Sequence, residues 1–129
     1  MRGLFVTGTG TDIGKTYVSA AIARELTSKN LNLAYYKAAV SGASSIESSD
    51  AGFVKHSANL KQETSSLLSY LYEKPLSPHL AARGEGRFAC LNKIKEDFIE
   101  VIKYINVNFS NSNLNYQDIC KRFFISEAT

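Results

Sequence analysis

The sequence predicts an α/β fold in three layers, a parallel sheet flanked by helices, and three observations carry that expectation. A short apolar run, Leu4-Phe5-Val6-Thr7, leads into a glycine-containing loop ending Gly14-Lys15-Thr16, and a helical pattern opens at Lys15. A second apolar run, Leu33-Ala34-Tyr35-Tyr36, follows that helix at a distance that calls for a parallel crossover. Further on, Ile94, Phe98, Val101, Ile102, Ile105 and Phe109 recur on one face of a long amphipathic segment, which reads as core.

Residues 3–7 are apolar without clean alternation, as expected of a short strand buried on both faces. The loop over residues 8–16 has the composition of a phosphate cradle. Glycine lets backbone N–H groups curl around an anion, and the helix that follows adds unpaired donors and a partial positive charge. In such a loop the Lys15 ammonium reaches the β- and γ-phosphates and the Thr16 hydroxyl ligates Mg²⁺. The usual spacing has four residues between its two glycines, whereas Gly8 and Gly14 enclose five and Thr9 stands where the first glycine is expected.

After the loop, Val18, Ala21, Ile22 and Leu26 recur at helical spacing, and Ser28-Lys29-Asn30 supplies a stop in which Asn takes the left-handed cap conformation. Residues 31–37 then read as a second strand with Lys37 at its carboxyl end, the edge at which such sheets bind ligands. A solvated strand-end lysine is the plainer reading of that position. Residues 38–49 are loop by composition, and Ser48 or Ser49 caps a helix beginning near Asp50, with Ala51, Val54 and Ala58 inward. Asp50 has a plain explanation too, its favourable place at the positive end of a helix. Residues 62–72 are mixed in pattern. Ser77-Pro78-His79 starts another helix, with His79 facing either a ligand or its own first turn; residues 84–87 break it, and Asn92 caps the long segment. Residues 106–115 read as a loop, residues 117–122 as weakly helical and Phe123-Phe124-Ile125 as a third strand.

Composition narrows the function classes. At 129 residues and 14.2 kDa the chain allows one domain with a modest core, so residues 1–129 are taken as a single unit. A net charge of +3 with dispersed lysines argues against a nucleic-acid partner. No apolar run approaches the ~20 residues of a membrane span, so no membrane partner is expected either. Cys90 and Cys120 lack metal-type spacing, and without a visible targeting segment the expectation is a cytoplasmic protein with reduced thiols.

Taken together, these motifs resemble dethiobiotin synthase, a family of the P-loop NTPase superfamily. The resemblance rests on Phe5-Val6-Thr7-Gly8-Thr9, on Gly14-Lys15-Thr16 at the same five-residue interval, on Tyr36-Lys37 followed by Ser41-Gly42, on Ser49-Asp50-Ala51, and on Pro75-Leu76-Ser77-Pro78-His79. It covers residues 1–105, leaving 106–129 as a divergent tail. It implies a P-loop NTPase-type parallel sheet and a reaction that joins diaminononanoate, CO₂ and ATP to give dethiobiotin, ADP and phosphate through a carbamate and a carbamic-phosphoric anhydride. By the same resemblance Lys37, Lys15 and Thr11 are catalytic, and Asp12, Ile13, Gly14, Lys15, Thr16, Tyr17 and Asp50 bind ATP. Thr16 and Asp50 hold Mg²⁺, Ser41 contacts substrate, and the active enzyme is a homodimer.

The chain also departs from the family pattern. Gly10 replaces a common acid, Asp12 a Glu, and Ala38 the Pro after the catalytic lysine. The family's closing Val-Glu-Gly-Ala-Gly-Gly strand end, with its second Mg²⁺-binding acid, has only Phe123-Phe124-Ile125-Ser126-Glu127-Ala128 as a counterpart. The expectation is therefore an amino-terminal part of the fold, a sheet incomplete at its carboxyl end. The alternative function is a nucleotide-binding remnant of that enzyme without turnover. A partition-type regulatory ATPase is disfavoured, because its signature lysine, five positions before the loop lysine, is here Gly10.

Overall fold

In a computed structural model, residues 3–108 are described. Their elements in order are helix α1 (Lys15–Ser28), strand β1 (Lys37–Ser41), helix α2 (Asp50–Ala58), a 3₁₀ turn (Thr64–Leu67), strand β2 (Leu68–Tyr72), helix α3 (Pro78–Glu85) and helix α4 (Leu91–Asn108). Residues 106–108, expected to open the 106–115 loop, instead continue α4; Phe109, the rest of that loop, the 117–122 helix, the Phe123–Ile125 strand, Cys120 and Glu127 lie outside the described residues.

The helices begin and end where the local chemistry requires. Asn30 (φ 56°) closes α1, with Leu31 N–H donating to Leu26 O and Asn30 N–H to Thr27 O, each at 3.0 Å. Asn59 (φ 51°) closes α2 the same way, through Leu60 N–H to Lys55 O at 3.0 Å. These left-handed closures use up carbonyls that a helix end otherwise leaves unpaired. Pro78 opens α3 at a position whose N–H no helix bond needs. Helix α4 begins at Leu91, so Asn92 falls inside its first turn and does not cap it; Ile94 N–H reaches Cys90 O instead, at 3.2 Å.

Strands β1 and β2 pair in parallel, Lys37 opposite Leu68, Ala39 opposite Tyr70, Val40 opposite Leu71 and Ser41 opposite Tyr72. Alternation along β1 sends neighbouring residues to opposite faces. Val40 joins Ala51, Leu67 and Leu68 beneath α2, whereas Ala39 packs with Tyr72, Ala81 and Ala82 beneath α3. Helices thus cover both faces, the three-layer parallel arrangement expected. Helix α4 docks through Phe98, whose ring lies 5.5 Å from that of Tyr36, and through Ile94 O, which accepts from the Tyr36 hydroxyl at 3.2 Å.

Three further details of the sequence reading are corrected. Residues 3–7 form no strand: Leu4 and Phe5 are exposed, and among the described residues nothing pairs with that run. The second strand is Lys37–Ser41, not residues 31–37, so Lys37 starts β1 and does not end it. The parallel crossover accordingly lies one unit later, running from β1 through α2 to β2. The buried face of α1 is Ala20 and Ala23, not Val18 and Ala21, because α1 packs on α2 and not on a strand. Two alanines let the helix axes approach over Val54, Ala58 and Leu60, with Leu33 and Tyr35 closing the cluster.

Candidate functional site

The glycine loop arrives at α1 without closing its own helix end. Gly14 occupies the cap position with φ 92°, a left-handed conformation that only glycine adopts without strain. No side chain caps the helix and no acid sits in its first turn, so the first N–H groups of α1 remain available to an anion. Thr11, Asp12 and Ile13 are exposed on the loop, with Asp12 at φ 56°. The Lys15 ammonium folds back over the loop and donates to Gly10 O. Tyr17 extends the exposed rim, its ring edge-on to Phe53 at 5.3 Å.

Helix α2 brings the acid. Ser49 is buried and accepts from Ala51 N–H at 3.2 Å and Gly52 N–H at 3.4 Å, fixing the turn that carries Asp50. Lys37 Nζ donates to Asp50 Oδ2 at 2.6 Å, uniting residues 13 positions apart. Partial burial pushes the Asp50 carboxyl up, but the Lys37 hydrogen bond and charge, the Thr16 hydroxyl and the Lys15 charge outweigh it. The carboxyl is held below its ordinary value and stays ionised. Tyr35 shows the same carboxylate from the other side: burial, then the Asp50 charge, pushes its phenol up to about 12. Lys15, Thr16, Lys37 and Asp50 therefore converge, two from the loop–helix junction and two from elements that follow it.

Ser41 lies elsewhere. It ends β1, about 13 Å along the strand from Lys37 at roughly 3.3 Å per residue. Its hydroxyl donates to Leu76 O at 2.5 Å. Gly42 beside it (φ 79°) donates N–H to Tyr72 O at 2.9 Å and lies against Pro75. The Ser41-Gly42 and Pro75-Leu76 motifs thus meet, next to the start of α3, where His79 is exposed. Sequence reasoning missed Gln62, which is buried at 1% exposure and bonds to the backbone just before Lys37. Its spacing gives no signal, since a lone glutamine in a mixed segment reads the same whether buried or solvated.

Thr16 and Asp50 suit a hard divalent cation. They offer a hydroxyl and one carboxylate, and Mg²⁺ commonly takes one or two carboxylates while phosphate and water oxygens fill its other positions. Among the described residues no group of three or more His, Cys, Asp or Glu side chains could hold a metal by itself.

Sequence comparison adds the relatives of the chain. The family described as an AAA domain matches residues 2–125. Over 101 residues the chain is 48% identical to the ATP-dependent dethiobiotin synthetase BioD of Clostridium botulinum (strain Loch Maree / Type A3), covering 75% of this chain and 44% of that one. Over 102 residues it is 46% identical to the protein of that name from Brachyspira hyodysenteriae (strain ATCC 49526 / WA1), covering 79% of this chain and 46% of that one. The chain spans about half the length of the curated relatives it matches. No helix among the described residues is long and apolar enough to cross a membrane.

Proposed function

The chain belongs to the AAA-domain family and is similar in sequence to its dethiobiotin synthetases, and from that premise we propose that it carries the phosphoryl-transfer site of an ATP-dependent dethiobiotin synthetase. The observation that supports this best is the meeting of Lys37 and Asp50 at 2.6 Å beside Thr16 and Lys15. Two cations, a carboxylate and a hydroxyl at an open helix end are the groups a transferring phosphate needs.

In the proposed reaction one amine of diaminononanoate adds to CO₂ and loses a proton, giving a carbamate. A carbamate oxygen attacks the γ-phosphorus of ATP, the bond to the β-phosphate oxygen breaks, and ADP leaves. The second amine then attacks the carbamoyl carbon of the mixed anhydride, closing the ureido ring and expelling phosphate. The carbamate, the γ-phosphate and the ADP leaving group are all anionic, so the protein's task is charge neutralisation and alignment. Lys15 swings from Gly10 O to the β- and γ-phosphates, and the N–H groups around Gly14 receive phosphate oxygens. Lys37 lends its charge to the phosphoryl group in flight. Thr16 and Asp50 would hold Mg²⁺, which supplies neutralisation of phosphate charge when bound. Asp12, Ile13 and Tyr17 line the nucleotide's path, while Thr11 and Ser41 contact the carbamate and the substrate chain. The proposal extends to a homodimer working in the cytoplasm.

The test is turnover. The full chain incubated with diaminononanoate, bicarbonate and Mg-ATP is expected to form dethiobiotin and ADP in equal amounts by mass spectrometry. Lys37→Ala lowers the rate by about 10²–10³, the usual loss of one charge-stabilising donor. Nucleotide binding with no dethiobiotin formed would replace this reading with that of a nucleotide-binding module.

A further inference from the structure

The Gln62 side chain joins Tyr35, just before β1, to Ser66, in the 3₁₀ turn just before β2. Its Oε1 accepts the Tyr35 N–H at 2.8 Å, and its Nε2 donates to Tyr35 O at 2.9 Å. The second Nε2 hydrogen points to Ser66, whose Oγ and carbonyl lie at 3.0 and 3.2 Å. The amide has only one workable orientation here, because a backbone N–H must meet an oxygen and a carbonyl must meet an N–H. The β1–β2 ladder starts at Lys37 opposite Leu68, and Tyr35 lies before it. At Tyr35, Gln62 therefore does what the peptide of a neighbouring strand would do.

Gln62 is also fixed from a third side. Its own carbonyl accepts from Lys55 Nζ, and Lys55 belongs to α2, the helix that begins with Asp50. The contacts close a circuit: α2 holds Gln62 through Lys55, Gln62 holds Tyr35, Tyr35 leads to Lys37, and Lys37 returns to α2 through Asp50. At 1% exposure no solvent competes for the amide, so each bond constrains the backbone strongly.

We propose that Gln62 is a positioning residue for Lys37: its amide clamp on the Tyr35 backbone sets where the Lys37 ammonium meets Asp50. This rests on the phosphoryl-transfer reading of Lys37 given above, and it goes beyond that reading by naming a residue that touches no substrate.

The test uses the ¹⁵N-labelled full chain. The Lys37 ammonium cross-peak is assigned by its absence in Lys37→Ala, and its proton exchange is followed in Gln62→Met, which keeps length but removes both ends of the clamp. The expected result is exchange faster by about tenfold, the net worth of one hydrogen bond, with α-helical circular dichroism retained. Unchanged Lys37 exchange in folded Gln62→Met overturns the proposal. If Gln62→Met does not fold, Gln62→Asn decides, because it keeps a polar amide at the position but is one methylene too short to hold both the N–H and the carbonyl of Tyr35. Faster Lys37 exchange in that variant supports the clamp, and exchange equal to wild type overturns it. In turnover, Gln62→Met lowers kcat by up to about 10²-fold, as a misplaced group does, without raising the KM for Mg-ATP. A raised KM at constant kcat overturns the proposal. The exchange experiment reads Lys37 placement whether or not the chain turns over, so failure of the clamp and failure of the functional reading remain distinguishable.

Discussion

The loop over residues 8–14 and the loop over residues 42–49 each run into the first turn of a helix, and they finish that turn in opposite ways. At α2 the protein satisfies itself: Ser49 is buried and caps Ala51 and Gly52, and Asp50 sits where the helix favours an acid. At α1 it does not: Gly14 has no capping side chain, no acid follows, and a lysine stands in the first turn. A helix end finished by its own residues holds a side chain still. A helix end left open keeps its donors for something that arrives. The proposed site needs both, since Asp50 must be rigid to hold Lys37, and the α1 end must be free of its own anions to receive phosphate.

This contrast can be broken at either end. The largest effect is expected at the open one. Lys15→Ala should lower turnover by about 10²–10³ and abolish stabilisation by Mg-nucleotide, while the ligand-free melting curve hardly moves, because the Lys15–Gly10 contact is exposed. Gly14→Ala forces a side chain into a φ of 92° and should cost roughly 1–3 kcal/mol in urea unfolding. Ser49→Ala attacks the closed end. It removes the cap and should cost about 1 kcal/mol in the same experiment. The variants should then separate: Lys15→Ala loses the ligand and keeps the fold, whereas Ser49→Ala weakens the fold and still binds Mg-nucleotide.

The smallest effect is a pH dependence. The Asp50 carboxyl is held below its ordinary value of 3.8 in the folded chain, so the unfolded chain binds the proton more readily. Its contribution to stability is complete above 3.8 and is lost as pH falls through the lower native value. Asp50→Asn lacks that contribution, so its stability should lie below wild type at neutral pH, with the gap closing in acid. The Lys37–Asp50 pair is partly exposed, and solvent screening keeps the gap small. Urea midpoints compared from pH 7 down to the acid limit measure it.

How much of this the sequence carries depends on whether the signal is local. The start of α1 at Lys15, its Asn30 stop, the cap of α2 at Ser48 or Ser49, the Pro78 start of α3 and its break within residues 84–87 are all fixed by residues within one turn of the boundary, and all were legible. What was not legible depends on partners far along the chain. Residues 31–36 are as apolar as a strand, yet the ladder begins at Lys37 because that is where Leu68 stands opposite. The inward face of α1 is Ala20 and Ala23 because its neighbour is another helix, and small residues allow that approach while periodicity alone favours the larger Val18 and Ile22. The residues of the site divide the same way. Lys15 and Thr16 follow from the loop itself, and Lys37 and Asp50 were reached through resemblance. Gln62 was invisible, because its importance lies in the backbone it meets across 27 positions.

The central claim is that the open end of α1, Lys15, Thr16, Lys37 and Asp50 form one receptor for Mg-nucleotide. Its most direct test is thermal unfolding of the full chain against increasing Mg-ATP, with Lys15→Ala alongside. The account predicts a melting temperature that rises with ligand, by the equivalent of about 2.7 kcal/mol at one hundred times the dissociation constant, and no rise in Lys15→Ala. A folded wild-type chain whose melting temperature does not move at millimolar Mg-ATP would contradict it.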